Sequence, residues 1–461
     1  MIKAYFSLIF VLSKSFQKKH SRKDIFFERT ILLISLFTAF GGTAFGQNLL
    51  TPKEVIALTL ENNYDIRVAT NDVQIAQNNT TKELNSFLPT VNAVVGPNAR
   101  IGGSKQTFSN GGENTTSNAF NWGTTANLNA DYRIIDKTRE MTVRQLEEIV
   151  ELSDLQLRQT VETNLLQVFN LYYQIAQLTQ NAQVFEETVA VSKQRLKRVQ
   201  YQYDYGQGLR LDVLNAEVDI QRDSINLINL QNQLTNAKRD LNVLMGRAVD
   251  LPILPDTTVF YRADLNRTQL IADAKAKNIR VQLINQNLDI SALDFDVIES
   301  TQKPTLGVSA GYTFSFSDNA PGSFITISNS RGFSGNVTLN WNIYDGGRRK
   351  MQTQNARINV DNQLVQKEQI LQQIERDVAN TWQSYQNALF ILRAEQQNVA
   401  TNELNFQRTE EQFKIGQITS VEFRQAQLNL LNAQLNLNTA RYDAKLIEVN
   451  LMQLGGRLLE L

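Results

Sequence analysis

The segment from Gly206 to Gly246 reads GQGLRLDVLNAEVDIQRDSINLINLQNQLTNAKRDLNVLMG. It aligns without a gap on Gly416 to Gly456, which reads GQITSVEFRQAQLNLLNAQLNLNTARYDAKLIEVNLMQLGG. A further match lies upstream, where Pro89-Thr90 corresponds to Pro304-Thr305. Because the repeated unit is about 200 residues long, the pattern indicates a duplicated domain rather than a solenoid repeat.

Two prolines separate the two halves of the chain. Pro252 and Pro255 lie in the sequence DLPILPD, and proline ends a helix because it lacks a backbone donor. We therefore predict a first repeat at residues 47–249, a Pro-containing linker at 250–262 and a second repeat at 263–461.

The first 46 residues predict a secretory signal peptide. Basic residues precede an apolar run from Ile31 to Phe40, and small residues then lead to Ala44-Phe45-Gly46. The apolar run is too short to span a bilayer core of about 30 Å as a helix. The alternative is a short buried or amphipathic helix. No cysteine is available for an amino-terminal lipid anchor.

The composition excludes several classes of function. The 461 residues include no cysteine and one histidine, His20, which falls in the predicted signal peptide. Thiolate nucleophiles, zinc-finger ligand sets and Ser-His-Asp triads are therefore excluded from the rest of the chain. Basic and acidic residues number 46 each, which gives no indication of nucleic-acid binding. We predict a protein that is not an enzyme and needs no cofactor or metal.

Each repeat contains one very long segment without glycine or proline, Lys137 to Tyr205 and Arg348 to Ile415. Leu, Gln, Glu, Arg and Ala dominate both, which predicts helices. At about 1.5 Å per residue, each extends roughly 100 Å, too long for a globular core. Apolar residues recur at steps of three and four, as in coiled coils. Return helices follow at about 209–245 and 418–454, so we predict two long helical hairpins with exposed tips.

The acidic residues of these long segments are interspersed with Lys and Arg. This mixture is typical of solvated helix faces and does not indicate catalysis. The fragment Gly206-Gln207-Gly208 follows a helix rather than a strand, which argues against a phosphate-binding loop.

Four shorter segments alternate apolar and polar residues with period two, which predicts β-strands. They are 91–101, 120–134, 306–316 and 333–343, with polar loops at about 102–119 and 317–332. Strands of about ten residues suit a membrane barrel. A soluble sandwich is the alternative. Four strands cannot close a barrel, and open sheet edges are not tolerated in hydrocarbon, so a membrane role requires several chains that share one barrel.

Local motifs mark the junctions between the predicted elements. They are LTPKEVIAL at 50–58 followed by ENN at 61–63, Leu88-Pro89 before the first strand, WNIYDGGR at 341–348 after the last strand, Tyr205-Gly206 at the first tip and FKIG at 413–416. The first repeat differs after its second strand, since DKTR at 136–139 lacks the two adjacent glycines that WNIYDGGR contains at the corresponding place. Over essentially the whole chain after the signal peptide, this combination resembles the TolC outer-membrane efflux family.

The resemblance implies a mainly α-helical fold with membrane β-strands, in which internally duplicated helical hairpins and four strands per chain form a trimeric 12-stranded β-barrel continued by a periplasmic α-helical tunnel. It implies a passive exit duct in the outer membrane, within a tripartite efflux or type I secretion system. The cargo would be small molecules or polypeptides. The implied partners are outer-membrane lipid, two further copies of the chain, a periplasmic adaptor and an inner-membrane transporter, without nucleic acid.

A periplasmic coiled-coil adaptor or scaffold is the alternative function. Such a protein would show compact β-rich domains that flank one hairpin, whereas this sequence predicts two hairpins.

The resemblance also implies four residues at a pore constriction, which are Glu422, Gln425, Asp212 and Phe413. The family narrows its pore at two acidic positions just after the second tip, which correspond here to Glu422 and Gln425. Asp212 stands where the family ties neighbouring helices through polar contacts. Phe413 and Ile418 replace an expected Tyr and Arg, so we expect apolar packing there. The alternative role for Glu422 is a first-turn acid that favours the helix dipole.

The adaptor-contacting residues implied by the resemblance lie at the two tips. They are Tyr205, Gly206, Gly208, Gly416 and Gln417. The alternative for the glycines is a purely structural role as helix C-caps.

Overall fold

The computed structural model describes residues 49–320 and 325–460, so the predicted signal peptide lies outside the described residues. The elements, in chain order, are α1 (Pro52–Asn62), α2 (Tyr64–Asn79), β1 (Thr90–Thr107), β2 (Glu113–Ile135), α3 (Lys137–Asp204), α4 (Arg210–Leu244), α5 (Arg267–Lys277), α6 (Ile279–Ser300), β3 (Thr305–Asp318), β4 (Ile327–Asn340), α7 (Arg348–Lys414), α8 (Ser420–Leu454) and a 3-10 turn (Leu458–Glu460).

The long helices α3 and α7 begin where the sequence predicts and end one residue before the predicted ends. Their uninterrupted length follows from the absence of glycine and proline. The return helices α4 and α8 likewise lie within two residues of the predicted bounds. Each repeat therefore contains one helical hairpin, α3 with α4 and α7 with α8.

The four strands form one antiparallel sheet in the order β1-β2-β3-β4. The predicted loop at 102–119 is wrong at both ends, because β1 continues to Thr107 and β2 begins at Glu113. The second predicted loop is shorter as well, since β4 begins at Ile327. β4 also ends at Asn340 rather than at the predicted residue 343. Asn340 pairs with Thr305, the first residue of β3, which follows Pro304.

The hairpin of β1 and β2 extends beyond the other two strands. Among the described residues, pairing between β2 and β3 stops at Trp122, opposite Asp318, and residues 113–121 of β2 pair with β1 alone. This two-stranded ribbon is roughly 30 Å long. A bulge interrupts it between Gly102 and Ser104, opposite Asn118, which has a positive φ of 51°.

The chain divides into two compact units. The first comprises the described parts of residues 1–63, 162–274 and 377–461, and the second comprises 64–161 and 275–376. Each unit therefore takes segments from both repeats.

The second unit contains the sheet and the helix segments that lead into it. α6 contacts α3 through Gln286, whose Nε2 donates to the Glu148 carboxylate at 2.6 Å. It contacts α7 through Arg280, whose guanidinium donates to Gln373 at 2.7 Å. α6 thus packs against one long helix from each repeat.

The first unit encloses the segment between the repeats. Residues 250–262 form no helix or strand, apart from an isolated bridge between Leu50 and Pro255. The Tyr172 hydroxyl donates to the Leu50 carbonyl at 2.8 Å and accepts from the Asp256 N–H at 3.0 Å. Burial raises the pKa of Tyr172, so the hydroxyl stays protonated and can donate. A buried tyrosine thus fixes this segment to α3.

A buried carboxylate holds the other end of the segment. Glu448 of α8 is fully buried. It accepts from the Tyr385 hydroxyl of α7 at 2.8 Å, from the Arg262 N–H at 2.9 Å and from Lys445 at 2.6 Å. These donors compensate the cost of removing the charge from water.

Within residues 49–320 and 325–460, no helix combines the length and apolar character needed to cross a membrane.

Candidate functional site at the hairpin tips

Both hairpins reverse direction at a glycine with positive φ. Gly206 has φ of 71° and Gly416 has φ of 78°. The Gly206 N–H donates to the Tyr203 carbonyl, and the Gln207 N–H donates to the Gln202 carbonyl. These two hydrogen bonds form a Schellman cap. The second tip repeats this pattern. A Cβ at either glycine would meet no atom within 4 Å, so the backbone angle and not crowding requires glycine.

The other predicted tip residues lie around these turns. Tyr205 is 80% exposed, and Gln417 is also exposed. Gly208 is half-buried. Leu209 and Ile415, each 67% exposed, add apolar surface that the sequence did not lead us to expect. The two tips therefore present apolar and polar side chains to their surroundings in the single chain.

An apolar cluster lies directly behind the tips. It consists of Val199, Val213, Ala216, Phe413 and Phe423. Phe413 is 5% exposed and stacks on Phe423 with ring centroids 4.6 Å apart. The Arg198 guanidinium lies over the Phe413 ring and donates to the Lys414 carbonyl. Phe413, one of the predicted constriction residues, is therefore part of the interior of one chain.

The predicted acidic constriction residue Glu422 is exposed and belongs to a capping box at the start of α8. The Thr419 N–H and hydroxyl both donate to its Oε2 at 2.8 Å, and the Glu422 N–H donates to the Thr419 hydroxyl at 3.2 Å. The hydrogen bond from the Thr419 N–H, with that from the hydroxyl, lowers the pKa of Glu422, so its charge persists well into the acidic range.

Gln425 lies one turn later on the same exposed face of α8 and donates to Asn429 at 2.9 Å. Asp212 is half-buried in the first turn of α4, in the other hairpin. Glu422 and Gln425 thus share one face, while Asp212 belongs to a different helix.

Three buried charged side chains and one half-buried one, Asp219, form a cluster behind the tips, here called the charge cluster: Arg195, Asp219, Asp223 and Arg424. Arg424 of α8 donates to both carboxylate oxygens of Asp223 of α4, at 2.7 and 2.8 Å. Arg195 of α3 donates to Asp219 of α4 at 2.7 Å. The side chains of Arg195 and Asp223 are each 2% exposed, and that of Arg424 is 8% exposed. The cluster carries two positive and two negative charges.

Neutral polar groups complete the charge cluster. The Ser192 hydroxyl of α3 donates to Asp223 at 2.7 Å. Gln427 of α8 accepts from Arg424 at 2.9 Å and donates to the Thr188 carbonyl of α3 at 3.0 Å. Arg195 also donates to Ser420, the first residue of α8, at 2.9 Å. The cluster therefore joins both helices of the first hairpin to the return helix of the second.

The sequence did not lead us to this cluster. We considered only the acidic residues of the long segments 137–205 and 348–415, whereas Asp219 and Asp223 lie on the return helix α4 and the other two members are arginines. The sequence nevertheless indicates burial at these positions. Asp223 follows Val213 and Ala216 at the spacing of core positions in a coiled coil, and Arg424 has the same spacing relative to Ser420 and Gln427. A charge at such a position predicts a buried partner.

A model of the outer membrane efflux protein family matches residues 55–247 and, a second time, residues 270–457. The chain belongs to the outer membrane efflux protein family. The predicted family, the mainly α-helical fold with four antiparallel strands, the role as an efflux channel and the outer-membrane localisation with a large periplasmic helical part are confirmed. Members of this family are channels rather than enzymes, and the alternative of a periplasmic adaptor is not supported.

Individual relatives agree with this assignment. The outer membrane protein TolC of Vibrio cholerae is 23% identical over 341 residues, which cover 73% of this chain and 77% of TolC. A structure of CusC superposes with a TM-score of 0.68 at 19% identity and covers 92% of this chain and 95% of CusC. The CmeC outer membrane channel of Campylobacter jejuni gives a TM-score of 0.68 at 15% identity, over 88% of this chain and 86% of CmeC. At these identities the two structures show a shared fold.

Proposed function

We propose that three copies of this efflux channel form one exit duct, in which each chain contributes four strands to a 12-stranded barrel. The sheet supports this proposal, because β1 and β4 are its two edge strands. An unpaired strand edge in hydrocarbon leaves backbone groups without hydrogen bonds, which costs several kcal/mol per group. Pairing β4 of one copy with β1 of the next removes every edge.

The side chains of the strands support a lipid-facing exterior and a polar lumen. In β4, Phe333, Val337 and Leu339 are 90%, 68% and 65% exposed in the single chain. They alternate with polar residues such as Asn336 and Thr338. Because successive side chains point to opposite faces, one face of β4 is apolar and the other polar. This is the pattern of a barrel strand between lipid and water.

The return helix of the first hairpin supports the same assembly. An apolar stripe on α4 is between 44% and 62% exposed and consists of Leu211, Leu214, Val218, Ile225 and Ile228. The spacing of these residues is that of a coiled-coil seam. A contiguous exposed apolar surface indicates a contact with another protein. In the proposed duct, a neighbouring copy covers this stripe.

The tips are the proposed contact with a periplasmic adaptor, which connects the duct to an energy-supplying inner-membrane transporter. Exposed Tyr205, Leu209 and Ile415 support this role. Replacing Gly416 with Val should reduce export in cells while the protein stays in the outer membrane. Gly346→Val is the matched control, because Gly346 also has a positive φ, 71°, and a Cβ there also meets no atom within 4 Å, but it lies between β4 and α7, away from the tips. Full export by Gly416→Val would argue against docking at the tips.

The exposed face of α8 with Glu422 and Gln425 is the proposed constriction. Three-fold symmetry would make Glu422 a ring of three carboxylates that attracts cations. Single-channel recording in lipid bilayers tests this role. Glu422→Gln should lower cation preference, whereas Glu403→Gln, an exposed change on α7, should not. Unchanged selectivity and unchanged block by multivalent cations in Glu422→Gln would mean that the constriction lies elsewhere.

A further inference from the structure

Arg331 lies on the apolar face of β4. The antiparallel pairing of β4 with β3 runs along the whole strand without a register shift, so alternate residues of β4 share one face. Arg331 therefore shares the face of Phe333 and Val337. On that face Phe333 contacts Tyr312 of β3, with ring centroids 4.8 Å apart. This is the face that we propose lies against lipid, and Arg331 is exposed there.

The outer face of the sheet offers Arg331 no carboxylate. The register places on this face alternate residues of all four strands, which are 91–101 of β1, 120–132 of β2, 306–318 of β3 and 327–339 of β4. Among them Arg331 is the only basic residue and Asp318 the only acidic one. The Asp318 carboxylate accepts a hydrogen bond from the Trp122 indole at 3.2 Å. In the part of the chain that the structure describes, Arg331 thus forms no ion pair.

A neighbouring copy does not supply the missing partner. In the proposed duct, β4 pairs with β1 of the next copy, which brings the outer face of β1 beside Arg331. That face has no acidic residue, since its members are Val91, Ala93, Val95, Pro97, Ala99 and Ile101. Closure of the barrel therefore leaves the guanidinium of Arg331 free to bind a molecule outside the protein.

Arg331 lies in the half of the sheet that is nearer the cell exterior. The long helices α3 and α7 follow the ends of β2 and β4, so that end of the sheet adjoins the periplasmic part. Arg331 is nine residues from Asn340 at that end and four residues, roughly 14 Å, from Ile327 at the other. Near Ile327 the Trp122 and Phe316 rings lie 5.3 Å apart on the outer face, as in the aromatic girdle at a membrane boundary. An arginine at such a depth extends its guanidinium toward the lipid headgroups.

The headgroup that fits this position carries phosphate. A guanidinium is a planar fork that binds phosphate oxygens through two parallel hydrogen bonds. In the outer leaflet of an outer membrane the main lipid is lipopolysaccharide, whose innermost phosphates are attached to sugars at the edge of the hydrocarbon layer. Asn329, two residues nearer the exterior on the same face, is exposed and can hydrogen-bond sugar hydroxyls. Beyond it, the ribbon at 104–107 and 113–118 is polar on both faces, which suits a thick sugar layer.

We propose that Arg331 and Asn329 form a binding site for lipopolysaccharide, in which Arg331 pairs with a phosphate group and Asn329 with an adjoining sugar. Each copy of the chain carries one site, so the proposed duct carries three around its outer surface. The bound glycolipid supplies the negative charge that the outer face of the sheet lacks near Arg331. This inference rests on the proposed duct, which gives the sheet its lipid-facing side.

Lipopolysaccharide that stays bound after extraction in mild detergent tests the site. Native mass measurement reports both the number of chains and the lipid bound to them. Arg331→Gln should carry about tenfold less lipopolysaccharide than the unchanged protein, as expected for the loss of one charged hydrogen-bond partner. Arg331→Lys keeps the charge without the fork and should retain more than Arg331→Gln.

Arg100→Gln is the matched control, because Arg100 is an exposed arginine of β1 on the opposite face, which the proposed duct turns toward the lumen. It should keep the bound lipopolysaccharide. Equal amounts in Arg331→Gln and the unchanged protein would overturn the inference and leave the three-chain duct intact, and so would an equal loss in Arg100→Gln. A single chain in every variant would instead contradict the proposed duct.

Defined lipids identify the ligand. The lipid-free duct in detergent is titrated with purified lipopolysaccharide, with the same glycolipid after removal of its phosphates, with phosphatidylglycerol and with inorganic phosphate. We expect tight binding of intact lipopolysaccharide alone, weakened about tenfold in Arg331→Gln. Equally strong binding of the dephosphorylated form would show that the acyl chains or sugars suffice, and would overturn the role of Arg331. Equally strong binding of phosphatidylglycerol or of inorganic phosphate would mean a phospholipid site or a free-anion site, and either result would overturn the proposed ligand.

Discussion

Asp223→Asn removes one charge from the buried cluster and keeps the shape of the side chain. Arg424 then loses its hydrogen-bonded carboxylate and keeps only the ion-pair contact of its Nε with Asp219 at 3.6 Å, since Asp219 already accepts from Arg195 at 2.7 Å. With Asp223 at 2% and Arg424 at 8% exposure, water cannot replace the lost charge. Breaking a buried ion pair by removing one partner costs about 3–5 kcal/mol. We expect this loss in the local stability of α8 around Arg424.

Hydrogen exchange of the α8 amides measures that local free energy directly, because protected amides exchange through local opening. A loss of about 3–5 kcal/mol should accelerate exchange near Arg424 by roughly 10²-fold to several 10³-fold. Asp240→Asn, an exposed change on the same helix as Asp223, is the control and should have no such effect. Equal exchange in both variants would refute the argument that the cluster is buried and charged as described.

Three further predictions concern other parts of the chain. The lowered pKa of Glu422 implies that its capping interaction is present above the ordinary glutamate pKa and is lost as the pH falls through the lower folded value. Protection of the amides at the start of α8, measured relative to their intrinsic exchange rates, should therefore fall as the pH drops below the ordinary glutamate pKa, and this pH dependence should disappear in Glu422→Gln, which has no carboxyl group to titrate. Tyr385→Phe removes a hydrogen bond to the buried Glu448 carboxylate and should lower the free energy of unfolding by about 1.5–3 kcal/mol in denaturant titrations, whereas a change near zero would mean that the hydroxyl is dispensable. Replacing residues 104–116 with a tight turn should leave assembly in detergent unchanged, because this end of the ribbon pairs only with itself, and loss of assembly on a sizing column would contradict that reasoning.

The helices were predictable because their determinants are local. Absence of glycine and proline sets the extent of α3 and α7, and the glycines at 206 and 416 set their ends. The ends of the strands were not predictable, because they depend on hydrogen bonding to neighbouring strands. The polar residues around 102–119 predict a loop, yet their backbone continues the antiparallel pairing of β1 with β2. Apolar and polar residues continue to alternate after Asn340, which predicts a longer strand. Because β3 begins at Thr305, opposite Asn340, the residues after Asn340 have no strand residue of β3 to pair with.

The site was predictable only in part for the same reason. The turn glycines at 206 and 416 follow from local sequence, and so does the exposed acid at the start of α8. The charge cluster depends on contacts between residues more than 200 positions apart, such as Asp223 and Arg424. Single-sequence patterns do not report such pairs. For Phe413, the resemblance implied a position at the constriction, whereas in the single chain its ring is buried against Phe423.

The native mass of the protein, extracted from outer membranes in mild detergent, shows directly whether three chains form one duct. We expect a mass of three chains, because four strands per chain leave two sheet edges that only a closed ring removes. A stable single chain that still conducts ions in a lipid bilayer would contradict it.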